Sequence, residues 1–273
     1  MRGAGRTIED RPSLESLVEC DDLGIETLHP GGLDITGELA GLCEIRPGTA
    51  VLEVASGTGE SACFLAQRFG ARVVGLDRSP SMIARSVAKD GALGPEVSFL
   101  RADAHHLPFP DDSFDVAISE CTLCLLEKAR VIEEMARVVR PGGRVGMHDL
   151  YWEVGAPERL KRTLVEIEGE RPETLEGWAA LFRAAGLAEI ITIDKKELIS
   201  RWMRSEREQL GWSGQLALAL KAVRRWGFGG LWTILKSERV FSSVHLGYCL
   251  VVGMKRRVVR SSCSGPGDGG LDT

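Results

Sequence analysis

Between Ala50 and His148 short apolar runs alternate with amphipathic segments, and this alternation constrains the fold more than any other feature of the chain. Val51–Val54, Arg72–Leu76, Val97–Arg101, Phe114–Ser119 and Arg144–His148 read as strands. Glu60–Phe69, Ser79–Lys89 and Glu127–Val139 read as helices. Ser79 is placed as an N-cap with Pro80 at the first helical position, and Pro141-Gly142-Gly143 stops the third helix. Strands separated by helices imply a parallel, doubly wound sheet with right-handed crossovers.

The first strand runs into a small-residue turn, VLEVASGTGE over Val51–Glu60. Strand, glycine turn and helix bring backbone N–H groups close to a ligand at a positive helix end. Glu53, near the strand end, would repel a phosphate but suits a hydroxyl, an ammonium or a sulfonium. A dinucleotide-binding turn would carry G-x-G-x-x-G. Here the turn reads A-S-G-T-G-E-S-A, so a pyrophosphate pocket is disfavoured.

The 273 residues can bury a full core, and 44% hydrophobic with 27% charged residues is ordinary globular composition. The net charge of −5 is uneven, with −9 on residues 1–150 and +4 on residues 151–273. An excess of four positive charges is too weak to imply nucleic acid. The seven cysteines are odd in number and scattered, which favours reduced thiols. No apolar run approaches the roughly 20 residues that span a bilayer. The N-terminal stretch MRGAGRTIEDRPS lacks the apolar core of a signal peptide, so the cytoplasm is the expected compartment.

Residues 1–12 and 257–273 read as disordered, and 13–256 as one domain with helical insertions at about 151–172 and 197–245. Asp34–Cys43 reads as a helix before the first strand. Beyond Asp149, Pro157–Gly169 and Thr174–Ala185 read as helices, with Gly186 capping the second. Ala188–Asp194 and Leu246–Met254 read as the last two strands. Between them lies a region carrying Trp202, Trp212, Trp226 and Trp232 with Arg201, Arg204, Arg207, Lys221, Arg224 and Arg225. It suits a lid or helical cap better than a membrane contact, because Gly211, Gly214 and Gly227–Gly230 break one long amphipathic helix.

The series VLEVASGTGE, VVGLDRSPSM, FLRADAHHLPFPDDSFDVAIS and EMARVVRPGGRV resembles the class I S-adenosylmethionine-dependent methyltransferases over roughly Thr49–Asp149. LPFPDDSFD with RVVRPGG resembles the small-molecule enzymes of the ubiquinone-biosynthesis and arsenite-methyltransferase type. The resemblance implies a Rossmann-like, mostly parallel seven-stranded sheet with a helical lid inserted before the last strand. The implied cofactor is S-adenosylmethionine and the implied reaction direct in-line methyl transfer to a small molecule. Ala55 stands where the family usually has its first turn glycine.

For the cofactor the resemblance implies Gly57 and Gly59 at the methionine part, with Ala55 beside them. Glu53 would hold the ammonium or orient the loop, and Asp77 would accept from both ribose hydroxyls. Arg78 and Met82 would flank the adenine, and Asp103 with Ala104 would read its amino group. Ser119 and Glu120, ending the fourth strand, would face the sulfonium.

For the acceptor, Glu120 and His148 are the candidate bases, each also readable as a structural group. His148 and Asp149 are expected to end the fifth strand and face one crevice. His29, Cys121, Tyr151 and Trp152 are candidate substrate contacts, while His105 and His106 read as rim residues. Cys121-Thr-Leu-Cys124 follows the fourth strand and admits a metalloid- or thiol-directed reaction through a soft thiolate at Cys121. Residues 150–200 hold no further cysteine, which weighs against it, and one C-x-x-C does not make a zinc site. A non-catalytic cofactor-binding regulator is the other alternative. The expected partner is a small-molecule substrate, with no nucleic acid, no resident metal and no stable membrane insertion; a homodimer stays open.

Overall fold

The computed structural model describes residues 30–90, 96–201, 212, 220, 223–224 and 226–257. In chain order these form α1 (Gly32–Leu42), β1 (Ala50–Val54), α2 (Glu60–Phe69), β2 (Arg72–Asp77), α3 (Pro80–Asp90), β3 (Val97–Arg101), β4 (Phe114–Glu120) and a short 3-10 turn (Leu123–Leu125). Then follow α4 (Lys128–Val138), β5 (Val139–Trp152), α5 (Glu158–Ile167), α6 (Leu175–Ala184), β6 (Leu187–Asp194), α7 (Phe228–Phe241) and β7 (Leu246–Lys255).

The seven strands form one sheet in the order β3-β2-β1-β4-β5-β7-β6. β1 to β5 pair in parallel, and β7 runs antiparallel between β5 and β6. Strand order reverses between β1 and β4, which opens a crevice at their C-terminal ends. β1 is buried on both faces because helices cover both. On one face Ile35, Leu39, Val51, Leu65 and Ile118 pack beneath α1 and α2. On the other, Leu52, Val131, Met135, Trp178 and Phe182 pack beneath α4 and α6. A third apolar cluster joins Leu164 and Ile167 of α5 to Val240 and Phe241 of α7 over Leu150, Trp152 and Tyr248.

β5 departs from expectation. Pro141-Gly142-Gly143 does not precede the strand but is bulged into it, between the pairs Phe114↔Val139 and Val116↔Arg144. The strand then continues to Trp152, because β7 pairs with it from Arg144 through Trp152. Tyr151 and Trp152 are therefore strand residues, outside the helical insertion expected from about residue 151, and His148 does not end the strand.

The reading of 1–12 as disordered, and the lid residues Trp202, Arg204, Arg207, Lys221 and Arg225, lie outside the described residues. Among those described, no helix is long and apolar enough to cross a membrane.

Candidate active site

Side chains alternate along a strand, so Glu53 on β1 and Glu120 on β4 both point to the α1–α2 face. There Glu120 meets a hydroxyl on the buried face of α1. Thr36 of α1 donates to both Glu120 carboxylate oxygens at 3.1 Å and lies 3.4 Å from the Ser61 hydroxyl of α2. All four side chains are buried. Burial, then the Glu120 carboxylate, pushes the Glu53 carboxyl well above the ordinary carboxylate range; an Ala62 N–H bond opposes the shift and Asp77 adds to it.

The turn after β1 is held by Asp77 at the end of β2. Its carboxylate accepts Gly57 N–H at 3.0 Å and Ser79 N–H at 2.8 Å. Ala55, Gly57 and Gly59 all take left-handed backbone, with φ of 60°, 52° and 77°. Ala55 thus does the work of a glycine at a cost of about 1–2 kcal/mol. The two glycines differ in their reason. At Gly57 a side chain would enter open space, so the backbone faces the crevice. At Gly59 a Cβ would lie 2.3 Å from the Phe99 ring, so this glycine also permits packing against β3.

Further along the rim, Asp103 accepts the backbone N–H of His105 at 3.0 Å and meets its Nδ1 at 2.7 Å. These two bonds hold the Asp103 carboxyl below its usual range. Glu127 N–H reaches His105 Nε2 at 3.3 Å, so His105 braces this loop against the start of α4. Ala104 is buried beside it, Arg78 is exposed, and Met82 is half-buried in the first turn of α3.

The β5 side of the crevice is built differently from expectation. His148 is fully buried, its ring tilted against Tyr248 at 5.0 Å, with Nδ1 3.7 Å from Cys121 Sγ. Asp149 points to the opposite face, where it accepts the N–H groups of Cys124 and Leu150. His148 and Asp149 therefore do not face one crevice. Tyr151 also lies on that opposite face, in the core with Trp178, its hydroxyl 2.8 Å from Asp194. Trp152 is buried in the third cluster, to which Cys121 is also packed. His29 lies outside the described residues.

Burial, then the Asp149 and Glu120 carboxylates, pushes the Cys121 thiol well above its ordinary range; burial and Asp149 do the same at Cys124. Neither is poised as a thiolate. Among the described residues no group of three or more His, Cys, Asp or Glu is placed to hold a metal ion.

Sequence reasoning missed Thr36, Ser61 and Tyr248. Thr36 left a signal, since it shares the α1 face of Leu39, Ala40 and Cys43 at helical spacing. A lone hydroxyl on an apolar stripe asks for a buried partner.

The crevice passes a test of fit for S-adenosylmethionine. Among the described residues, Glu53 Oε2, Ser56 Oγ and Ser119 Oγ are buried without a hydrogen-bond partner. Buried polar atoms are seldom left so unless a ligand or water completes them.

Comparison with known proteins agrees. Residues 51–143 match the family described as "Methyltransferase domain". The chain is 34% identical over 175 residues to the methyltransferase GfsG of Streptomyces halstedii, covering 61% of this chain and 63% of that protein. A phosphoethanolamine N-methyltransferase 2 of Haemonchus contortus, solved with S-adenosylmethionine, superposes with a TM-score of 0.73 at 19% identity, over 85% of this chain and 54% of the other. The [4+2]-cyclase SpnF superposes at 0.68 with 26% identity, over 82% and 80%. The chain thus spans less than two thirds of the length of GfsG. Its sequence likeness over residues 51–143 makes that segment a methyltransferase domain, and its sheet and turn give it the Rossmann-like fold of the S-adenosylmethionine-dependent methyltransferases.

Proposed function

We propose that this protein binds S-adenosylmethionine at the β1–β4 crevice and catalyses direct in-line methyl transfer to a small-molecule acceptor. The observation that carries the reading is the set of buried, partnerless polar atoms on Glu53, Ser56 and Ser119 around an open Gly57 turn tied to Asp77. When bound, the cofactor supplies an electrophilic methyl group on a cationic sulfur.

The chain's own part is binding, orientation and exclusion of water. Asp77, fixed by two backbone N–H bonds, keeps lone pairs for a ribose diol. Arg78 and Met82 flank the adenine, while Asp103 and Ala104 meet its amino group. Glu53 is uncharged until a cation arrives, then ionises and returns its proton to solvent. Glu120, held by Thr36, is a base already oriented for a neutral amine or carbon acceptor. His148, beneath the third cluster, is the second base and lies on the acceptor side with Cys121 and Trp152. Sulfur or ionised oxygen acceptors would need neither. The helices at 158–167 and 228–241 act as the lid of one domain.

A reducing, cytoplasmic setting agrees with the five free cysteines among the described residues. The likeness to a [4+2]-cyclase favours one second reading, a cofactor-bound protein that rearranges its substrate without transferring methyl. Incubation with labelled S-adenosylmethionine and fractionated metabolites, read by mass spectrometry, separates the two. A product heavier by one labelled methyl supports the proposal, and a product of unchanged mass overturns it.

A further inference from the structure

The opposite end of the sheet carries a feature that methyl transfer does not use. A polar cavity of about 340 Å³ opens where β1, β4 and β5 begin, lined by Arg46, Arg140 and Arg144 with Glu44, Asp115 and Gly143. Two more arginines adjoin it. Arg72 reaches the Gly48 carbonyl, and Arg257 lies against Gly142, where a Cβ would be 2.8 Å from its Nε. β1 separates this cavity from the crevice by about 15 Å at the usual rise per residue.

Five guanidinium groups meet there in a chain whose net charge is −5. Among the described residues two carboxylates answer them: Asp115 pairs with Arg140, and Glu44 with Arg144 and, at 3.6 Å, Arg46. The C-terminal ends of α1, α2 and α4 also lie at this end of the sheet, each equivalent to about half a negative charge. Among the described residues, carboxylates and helix ends together leave more than one positive charge unanswered. The acids are, moreover, partly committed elsewhere, since Asp115 also accepts the Ala50 N–H at 2.7 Å. Cys43, which lines the wall, has a thiol pushed up to about 12 by burial and contributes no anion.

We propose that this cavity binds a small polyanion bearing phosphoryl groups, at a site separate from the crevice. Guanidinium forks match phosphoryl oxygens in bidentate fashion. The volume suits a ligand between the size of pyrophosphate and a nucleotide. Arg46, with three quarters of its side chain exposed, and Arg140, with about half, present guanidinium groups that an entering anion can reach. Arg144 is largely buried and fixes the floor.

Calorimetric titration of the full chain with sodium pyrophosphate tests this. The expected result is one-site binding that weakens with salt, is lost about tenfold or more in R46A/R140A, and is unchanged by saturating S-adenosylhomocysteine. Arg140→Ala removes a partner of Asp115 and could disturb the fold, so R46A alone is titrated too and should weaken binding about threefold. No heat at millimolar pyrophosphate, equal affinity in wild type and R46A, or displacement by S-adenosylhomocysteine would each overturn the proposal. So would binding of duplex DNA or heparin without binding of pyrophosphate, which would mean a surface for macromolecules.

Discussion

The two ends of the parallel strands carry opposite charge, and the charge is handled in opposite ways. At the C-terminal ends Glu53, Glu120 and Asp77 gather where helix N-termini point. At the N-terminal ends Arg46, Arg72, Arg140, Arg144 and Arg257 gather where helices finish. Each end thus complements the dipoles of the helices that meet it. The difference is burial. The arginines stand mostly in water, where high dielectric and salt soften their mutual repulsion. Glu53 and Glu120 have no such screen, and burial with the neighbouring carboxylate pushes the Glu53 carboxyl well above the ordinary carboxylate range.

The sharpest way to break this comparison is at Asp77. Asp77→Ala should weaken S-adenosylhomocysteine binding by about two orders of magnitude or more, since it loses the diol acceptor and loosens the Gly57 turn; each charged bond is worth about 1.5–3 kcal/mol. Unchanged affinity by calorimetry would remove the crevice as the cofactor site.

Next come the two glycines, which test whether the turn is shaped by packing or by ligand. Gly59→Ala should destabilise the fold by about 2–4 kcal/mol in urea unfolding, because its Cβ meets Phe99 at backbone φ 77°. Gly57→Ala, with open space around it, should cost only about 1–2 kcal/mol, and should show its larger effect on cofactor affinity. Equal stability losses would mean that Phe99 yields.

A pH test sharpens the role of Glu53. Its carboxyl titrates higher folded than unfolded, so the native state binds more protons between the two values and stability falls as pH rises through that window. Glu53→Gln should flatten that fall, leaving the variant more stable than wild type above the window. Binding of a cationic ligand to the wild type should release protons, seen as a dependence of binding heat on buffer ionisation enthalpy. A variant that keeps the wild-type slope would assign it to another group.

The smallest effect belongs to the thiols. With Cys121 and Cys124 held protonated, Cys121→Ser with Cys124→Ser should change methyl transfer less than about threefold, within the range of a packing change. Abolition of transfer would restore the metalloid or thiol reading.

What the sequence disclosed follows from period and spacing. The five parallel strands, the turn and Asp77 were readable because each rests on a local pattern: apolar runs, small residues, an acid closing a strand. The face that each side chain takes was not readable on β5. Its register depends on pairing with β7, some hundred residues on, and on a bulge that absorbs Pro141-Gly142-Gly143. Hence Asp149 is expected beside His148 but lies on the opposite face, and the partner of Thr36 is Glu120, 84 residues along the chain. Gly59 shows a subtler limit, since two glycines with one signature serve different ends.

The placement of β7 also bears on the order in which the molecule is completed during synthesis. β1 to β5 can pair as they leave the ribosome, so the carboxylate-lined crevice and its turn can take shape early. β6 cannot, because its one neighbour in the sheet is β7, made after every other strand. Tyr248, against which His148 rests, arrives with the same strand. A nascent chain halted before Leu246 would hold the pocket assigned to the donor while lacking one wall of the pocket assigned to the acceptor, with β6 left as an unpaired edge open to aggregation.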